Sequence, residues 1–195
     1  MTDNTKSEKP LRAEKVGFTG ERRLAVREIY FSAFEKSERM NYPLMLFMAK
    51  LWHTDFYAFY DGETLCGMVY MATLLRTTFI MFFAVDEKLR NRGFGARILS
   101  QIAKMRPQNT LLVSIEMAGD EPTPENELRA RRKRFYQRCG YAETGYKVTL
   151  AGITQEILAA NGTFSKVRFR LFFMLYSNLT MYPRIEKMPD RENGG

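Results

Sequence analysis

The spacing of apolar and polar residues changes period several times along the chain, and each change marks an element. Leu24, Val26, Ile29, Phe31 and Phe34 recur at helical intervals and predict a helix over residues 24–40; a second helix, introduced by Pro43, covers residues 42–52. Both are expected to form one layer over a sheet. Residues 56–60 and 64–73 read as the strands of a hairpin, because the intervening Asp61-Gly62 supplies the positive φ angles that a tight turn needs. A third strand over residues 77–85 completes an antiparallel meander. The period then lengthens: Phe94, Ile98, Ile102 and Met105 share one face of a helix over residues 94–105. A strand over 110–117 follows. Thr123-Pro124 fits an N-cap with proline at the first helical position, opening a helix that runs to Arg138 and stops at Gly140. Residues 141–150 and 153–159 predict further strands, and 163–176 a closing helix.

Composition narrows the picture. With 195 residues, 45% hydrophobic and 13% aromatic, the chain can bury one sizeable core and is too short for two ordinary domains. The expected organisation is a single α/β domain over residues 21–185, with a mobile N-terminal extension over 1–20 and a frayed tail over 186–195. The polar start, residues 1–10, lacks the apolar stretch of a secretory signal. The longest apolar runs, 43–49, 79–85 and 171–176, fall short of the roughly 18 residues needed to span a bilayer. A cytoplasmic protein with no membrane partner is therefore expected. Cys66, Cys139 and the lone His53 make neither a disulfide framework nor a zinc pattern, so free thiols and no metal are expected. The net charge of +8 suits an anionic partner, which could be nucleic acid, a membrane surface or a phosphorylated small molecule. Charge alone does not choose among them.

Residues 89–99 sharpen the choice. They place Arg90, Arg92 and Arg97 with Gly93 and Gly95 directly after an apolar strand and at the start of a helix. The first amides of a helix have no intrahelical partner and carry partial positive charge, so a pyrophosphate fits there once glycines let it approach. Read alone, the run is equally a helix entry with solvated arginines. Neither G-x-G-x-x-G nor a P-loop is present. What is present is R-x-x-G-x-G after a strand, and further on Phe135-Tyr136-Gln137-Arg138-Cys139-Gly140-Tyr141. The first resembles the acetyl-CoA signature of the GNAT superfamily of N-acyltransferases, and the second is similar to that family's F-Y-x-x-x-G-[FY] segment. The resemblance covers residues 56–146.

The resemblance implies a mixed, twisted central sheet flanked by helices, with a cleft where the third strand and the 110–117 strand splay apart. It implies acetyl-CoA as cosubstrate. Backbone groups of Phe83, Ala84 and Val85 would pair with the pantetheine arm, and amides of Arg90, Asn91, Arg92, Gly93, Phe94, Gly95 and Ala96 would hold the pyrophosphate. Tyr136 would protonate the leaving thiolate after direct attack by an amine through a tetrahedral intermediate, with an amide such as that of Val85 steadying the oxyanion. The chain departs from the family where relatives carry asparagine and alanine, having Arg129 and Arg132, and where some place a carboxylate base, having Phe79. Glu116 is the expected substitute base, since alternation from Leu112 through Ser114 to Glu116 aims it at the cleft; the other reading pairs Glu116 with an arginine. Glu35, Glu38 and His53 are weaker candidates for acceptor binding. The basic run 129–134 lies on a helix as a solvated face, or contacts RNA or the 3′-phosphate of CoA. The expected acceptor is an amine on a small molecule or a protein, with no nucleic-acid partner and a homodimer through the apolar segment 169–176 left open. A non-catalytic CoA-binding module and a basic nucleic-acid-binding protein are the alternatives.

Overall fold

The computed structural model describes residues 9–20, 22–150, 152–177, 179–180 and 182–189. Within them lie eight strands, β1 (Arg12–Lys15), β2 (Thr54–Asp61), β3 (Thr64–Leu74), β4 (Thr77–Val85), β5 (Thr110–Ile115), β6 (Ala142–Leu150), β7 (Ile153–Ala160) and β8 (Arg184–Lys187). Five α-helices accompany them: α1 (Arg22–Ala33), α2 (Tyr42–Leu51), α3 (Phe94–Met105), α4 (Pro124–Arg138) and α5 (Lys166–Tyr176). The strands make one sheet in the order β1-β2-β3-β4-β5-β7-β6-β8, and every neighbouring pair is antiparallel except β4 with β5. This is the mixed, helix-flanked sheet that the motifs implied. Among the described residues no helix is long and apolar enough to cross a membrane.

Strand alternation assigns side chains to two helical layers. Phe56 and Ala58 of β2 with Met68 and Tyr70 of β3 pack under α1 and α2, while Val69 and Met71 of β3 point the other way, toward α3. The apolar face of α3 buries Phe94, Ile98, Leu99 and Ile102, close to the face that the spacing predicted. Tyr136 of α4 joins the same cluster. On the α1 and α2 side, α5 buries Phe169, Phe172, Phe173 and Tyr176 against Phe79 of β4 and Ile157 of β7. The sheet thus has α3 and α4 on one face and α1, α2 and α5 on the other.

Boundaries differ from expectation where tertiary contacts decide them. The first helix ends at Ala33, not residue 40, because Arg39 folds back and its guanidinium donates to the carbonyls of Phe31 and Phe34, both at 2.7 Å. The hairpin turn needs only one left-handed residue, Gly62 at φ +60°. The closing helix starts at Lys166 behind Ser165, whose hydroxyl accepts from the Arg168 amide. β5 stops at Ile115, its last partner being Glu156 of β7. β1 and β8 were not foreseen; β1 falls inside the stretch read as an extension and pairs with β2 from Arg12↔Tyr60 to Lys15↔Tyr57. Residues 1–8 of that extension and 190–195 of the expected tail lie outside the described residues.

Candidate functional site

β4 and β5 run together from Thr77↔Thr110 to Ile80↔Val113 and then separate. The separation starts at a bulge: Tyr70 of β3 pairs with Phe82 and the next residue, Met71, with Ile80, so Met81 is the extra residue. The bulge places Met81 and Phe82 on the same side, that of α1, α2 and α5, while Ile80, Phe83 and Val85 face α3 and α4. Beyond it, one edge of β4 is bonded to β3 and the other meets no strand. The Asp86 amide donates to the Cys66 carbonyl at 2.9 Å, which makes Cys66 and Asp86 a bonded pair. Alternation then turns the peptide groups of Ala84 toward β3 and those of Phe83 and Val85 toward the open edge.

The gap is a cleft of about 450 Å³ that reaches both faces of the sheet. On the α3 and α4 side it is bordered by Arg90, Arg132 and Tyr136. On the other it meets Phe34, Glu38 and Met40 after α1, Phe173 of α5, and Leu150, Ile153 and Gln155 of the β6–β7 hairpin. Tyr136 is 8% exposed, and its hydroxyl has no hydrogen-bond partner among the described residues. Burial pushes the phenol up to about 12, and Arg132, one helical turn earlier, partly offsets this. The helix that carries Tyr136 is pinned by Lys133, whose ammonium meets Glu156 at 2.7 Å and Glu143 at 2.9 Å. Glu156 is 2% exposed, so this pair replaces the water both ions gave up. Sequence reasoning missed it, because the basic run 129–134 looks uniformly solvated until α4 is laid on β7.

The start of α3 stands beside the cleft. Gly93, at φ +82°, caps the helix without a side chain, and the first intrahelical bond runs from the Arg97 amide to the Gly93 carbonyl at 3.2 Å. The amides of Phe94, Gly95 and Ala96 are left to an outside acceptor. Gly95 is there for space: a Cβ would stand 3.0 Å from the Phe135 ring and 3.6 Å from that of Phe83. Asn91 accepts a hydrogen bond from Arg131 at 2.7 Å, tying the loop to α4. Arg90 borders the cleft, and Arg92 lies 5.9 Å over the Phe94 ring. Arg97 bonds instead to Asp61 at 3.3 Å and to the Lys9 carbonyl at 2.9 Å, fastening the β2–β3 turn.

Glu116 meets the arginine of its alternative reading. Alternation holds through Leu112 and Ser114, and the Ser114 hydroxyl meets Gln155 at 2.7 Å on the cleft. The strand then ends at Ile115, and the Glu116 carboxylate is held by Nε of Arg129 at 2.6 Å and does not line the cleft. Arg129 and Glu116 make the ion pair that was the other reading. Of the weaker candidates, Glu38 borders the cleft while His53 lies exposed beside Trp52. Cys66 and Cys139 are free, and burial pushes both thiols up. Among the described residues no cluster of three or more His, Cys, Asp or Glu could hold a metal ion.

A mixed sheet opened between its one parallel pair, with helices on both faces, is the architecture of the GNAT acetyltransferases. Residues 52–143, a little under half of the chain, match the family model described as acetyltransferase (GNAT) domain. No curated protein matches the sequence. Solved structures do share the fold. A protein of Bacteroides thetaiotaomicron assigned to the GNAT acetyltransferases has a TM-score of 0.66 at 16% identity, covering 85% of this chain and 98% of that one. An aminoglycoside 6′-N-acetyltransferase complexed with coenzyme A gives 0.59 at 13% identity, covering 76% and 95%. A Bacillus subtilis acetyltransferase in complex with CoA gives 0.53 at 16%, covering 77% and 97%.

Proposed function

We propose that this chain transfers the acetyl group of acetyl-CoA to a primary amine. The observation that carries the reading is the convergence on one cleft of an unpaired strand edge, an open helix N-terminus and a phenol without a partner. The residues fit the cosubstrate. The open edge at Phe83 and Val85 offers peptide groups to the amides of the pantetheine arm, as a neighbouring strand would. Amides over Gly93, Phe94, Gly95 and Ala96, with Arg90 and Arg92 beside them, hold the pyrophosphate. Solved relatives complexed with CoA support this choice of cosubstrate.

The chemistry assigned to the chain's own groups is short. The amine nitrogen attacks the thioester carbonyl, the carbon–sulfur bond breaks, and an amide and a free thiol result. Val85 N–H, on the open edge, steadies the negative oxygen. Tyr136 gives its proton to the departing sulfur, and the proton lost by the amine restores the phenol through solvent. Glu116, engaged by Arg129, takes no part. A calorimetric titration of the purified protein with acetyl-CoA, with ATP and a short RNA as controls, tests the reading. Saturable one-site binding of acetyl-CoA alone, followed by thiol release with an amine, is expected. Binding without turnover would leave a CoA-binding module, and RNA binding without acetyl-CoA would remove the reading.

A further inference from the structure

We infer that the acceptor is a primary amine carried on an apolar body, with no second positive charge; this rests on the acetyl-transfer reading above. The cleft has two unlike mouths. Toward α3 and α4 it is cationic, with Arg90 and Arg132, and neither guanidinium is neutralised within the cleft: Arg132 has no ion pair among the described residues, and Arg90 reaches Glu87 only at 3.8 Å. That mouth suits a polyanionic donor. The opposite mouth is walled by Phe34, Met40, Met81, Ile153 and Phe173. Glu38 is the one carboxylate that borders the cleft among the described residues.

The segment carrying Glu38 is built to stay in place. Arg39 ties it to the end of α1 at 2.7 Å, and the Tyr30 hydroxyl accepts from the Met40 amide, also at 2.7 Å. One Glu38 oxygen accepts from the Glu35 amide at 3.1 Å, and the second has no partner among the described residues. A single ammonium can therefore be met at this mouth while the rest of the molecule lies along apolar walls. Glu38 favours the ammonium on entry, and the apolar walls beyond it favour the neutral amine, the form that attacks. A polyamine or an aminoglycoside would bring further ammonium groups. Along the described lining they would find no second carboxylate, but apolar side chains, the neutral Ser114, Gln155 and Tyr136, and two guanidinium groups, on a chain of net charge +8. The apolar walls and the scarcity of carboxylates thus point to the same class of acceptor.

The experiment compares 2-phenylethylamine and hexylamine with spermidine, kanamycin and a polar lysine peptide, following thiol release from acetyl-CoA. A second readout is calorimetry of 2-phenylethylamine on CoA-saturated protein. The apolar monoamines are expected to exceed the polycations in kcat/KM by at least about tenfold. Glu38→Gln should weaken binding of 2-phenylethylamine about tenfold and leave acetyl-CoA binding unchanged. Ile153→Glu, at a half-exposed position of the same mouth, should move the preference toward spermidine. Equal or better turnover of spermidine, kanamycin or the polar peptide by the unaltered protein overturns the inference and leaves acetyl transfer standing. Absence of acetyl-CoA binding overturns both, and the CoA titration separates the two failures.

Discussion

Replacing Tyr136 by phenylalanine removes one oxygen, and the surroundings of that oxygen fix what should follow. The residue is 8% exposed, and the oxygen borders the cleft with no hydrogen-bond partner among the described residues, so its loss breaks no bond in the free protein. Stability near neutral pH should change by less than about 1 kcal/mol, and acetyl-CoA affinity should stay near that of the unaltered chain. Turnover should fall. A positioned acid contributes roughly 10²–10⁴-fold, most when its pKa lies near the working pH. Burial holds this phenol at about 12, which places the expected loss near the lower bound. In the proposed reaction the leaving sulfur would enter the same desolvated space, which raises its own affinity for a proton and keeps the transfer feasible.

The same variant tests the pKa through stability. The unfolded phenol titrates near 10.0 and the folded one at about 12. The folded state binds the proton more tightly, so this contribution is fully present below pH 10 and is lost as pH rises from 10 toward 12. Two units at about 1.4 kcal/mol each give about 3 kcal/mol. Urea unfolding of both proteins across the alkaline range should show the native chain losing about that much more than Tyr136→Phe, since Tyr30, Tyr42, Tyr60, Tyr70 and Tyr141, whose phenols burial also raises, remain in both. Between pH 7 and 10 kcat should show no alkaline limb due to Tyr136. An unchanged kcat in the variant would remove Tyr136 from the acid role. A limb near pH 8.5 that disappears in the variant would refute the burial argument.

Three other substitutions follow from the geometry. Gly95→Glu should abolish acetyl-CoA binding in calorimetry, because a carboxylate would stand at the phosphate end of the cleft and its Cβ would press on Phe135 from 3.0 Å; normal binding would sink the loop assignment. Lys133→Ala leaves the 2% exposed Glu156 without its ammonium and should cost about 3–5 kcal/mol in urea unfolding, with Lys133→Arg recovering part of it. Glu116→Gln, in a pair whose side chains are 32% and 37% exposed, should change stability by less than about 1 kcal/mol and leave kcat intact. A large fall in kcat would return Glu116 to the reaction.

The legible parts of the site were those written within a short stretch of chain. The strand at β4 and the helix at α3 had the expected limits, because a continuous apolar run is followed by glycines and then by a clean helical stripe. Thr123 capped α4 as its position before proline implied. The illegible parts depend on partners far along the chain. β1 and β8 are short, largely polar segments that become strands only by pairing with β2 and β6. The expected strand over 110–117 ran past its end because alternation says which face a residue takes but not where a strand stops; pairing with β7 set that limit at Ile115, before Glu116. Lys133 looked like one of five solvated basic residues in the run 129–134 until packing on β7 supplied Glu156.

The bulge at Met81 joins these observations into one cause. A run such as Phe79-Ile80-Met81-Phe82-Phe83 carries no alternation signal, since helices cover both faces of the sheet and apolar side chains are wanted on each. That silence hides the extra residue that shifts Phe82 to the face of Met81 and parts β4 from β5. Phe79, just before the bulge, is packed against Phe169, Phe172 and Phe173 with ring centroids 5.4–6.3 Å away. A carboxylate at that position, as the family resemblance associates with some members, would be forced among those rings without a cation to meet it. An aromatic floor therefore leaves no room for a base on the strand itself, and under the proposed amine reading the loss of the proton depends on the rest of the cleft, where the walls are largely apolar. The same floor fits the proposed acceptor, a lone amine on an apolar body, better than one whose several charges would each demand a partner.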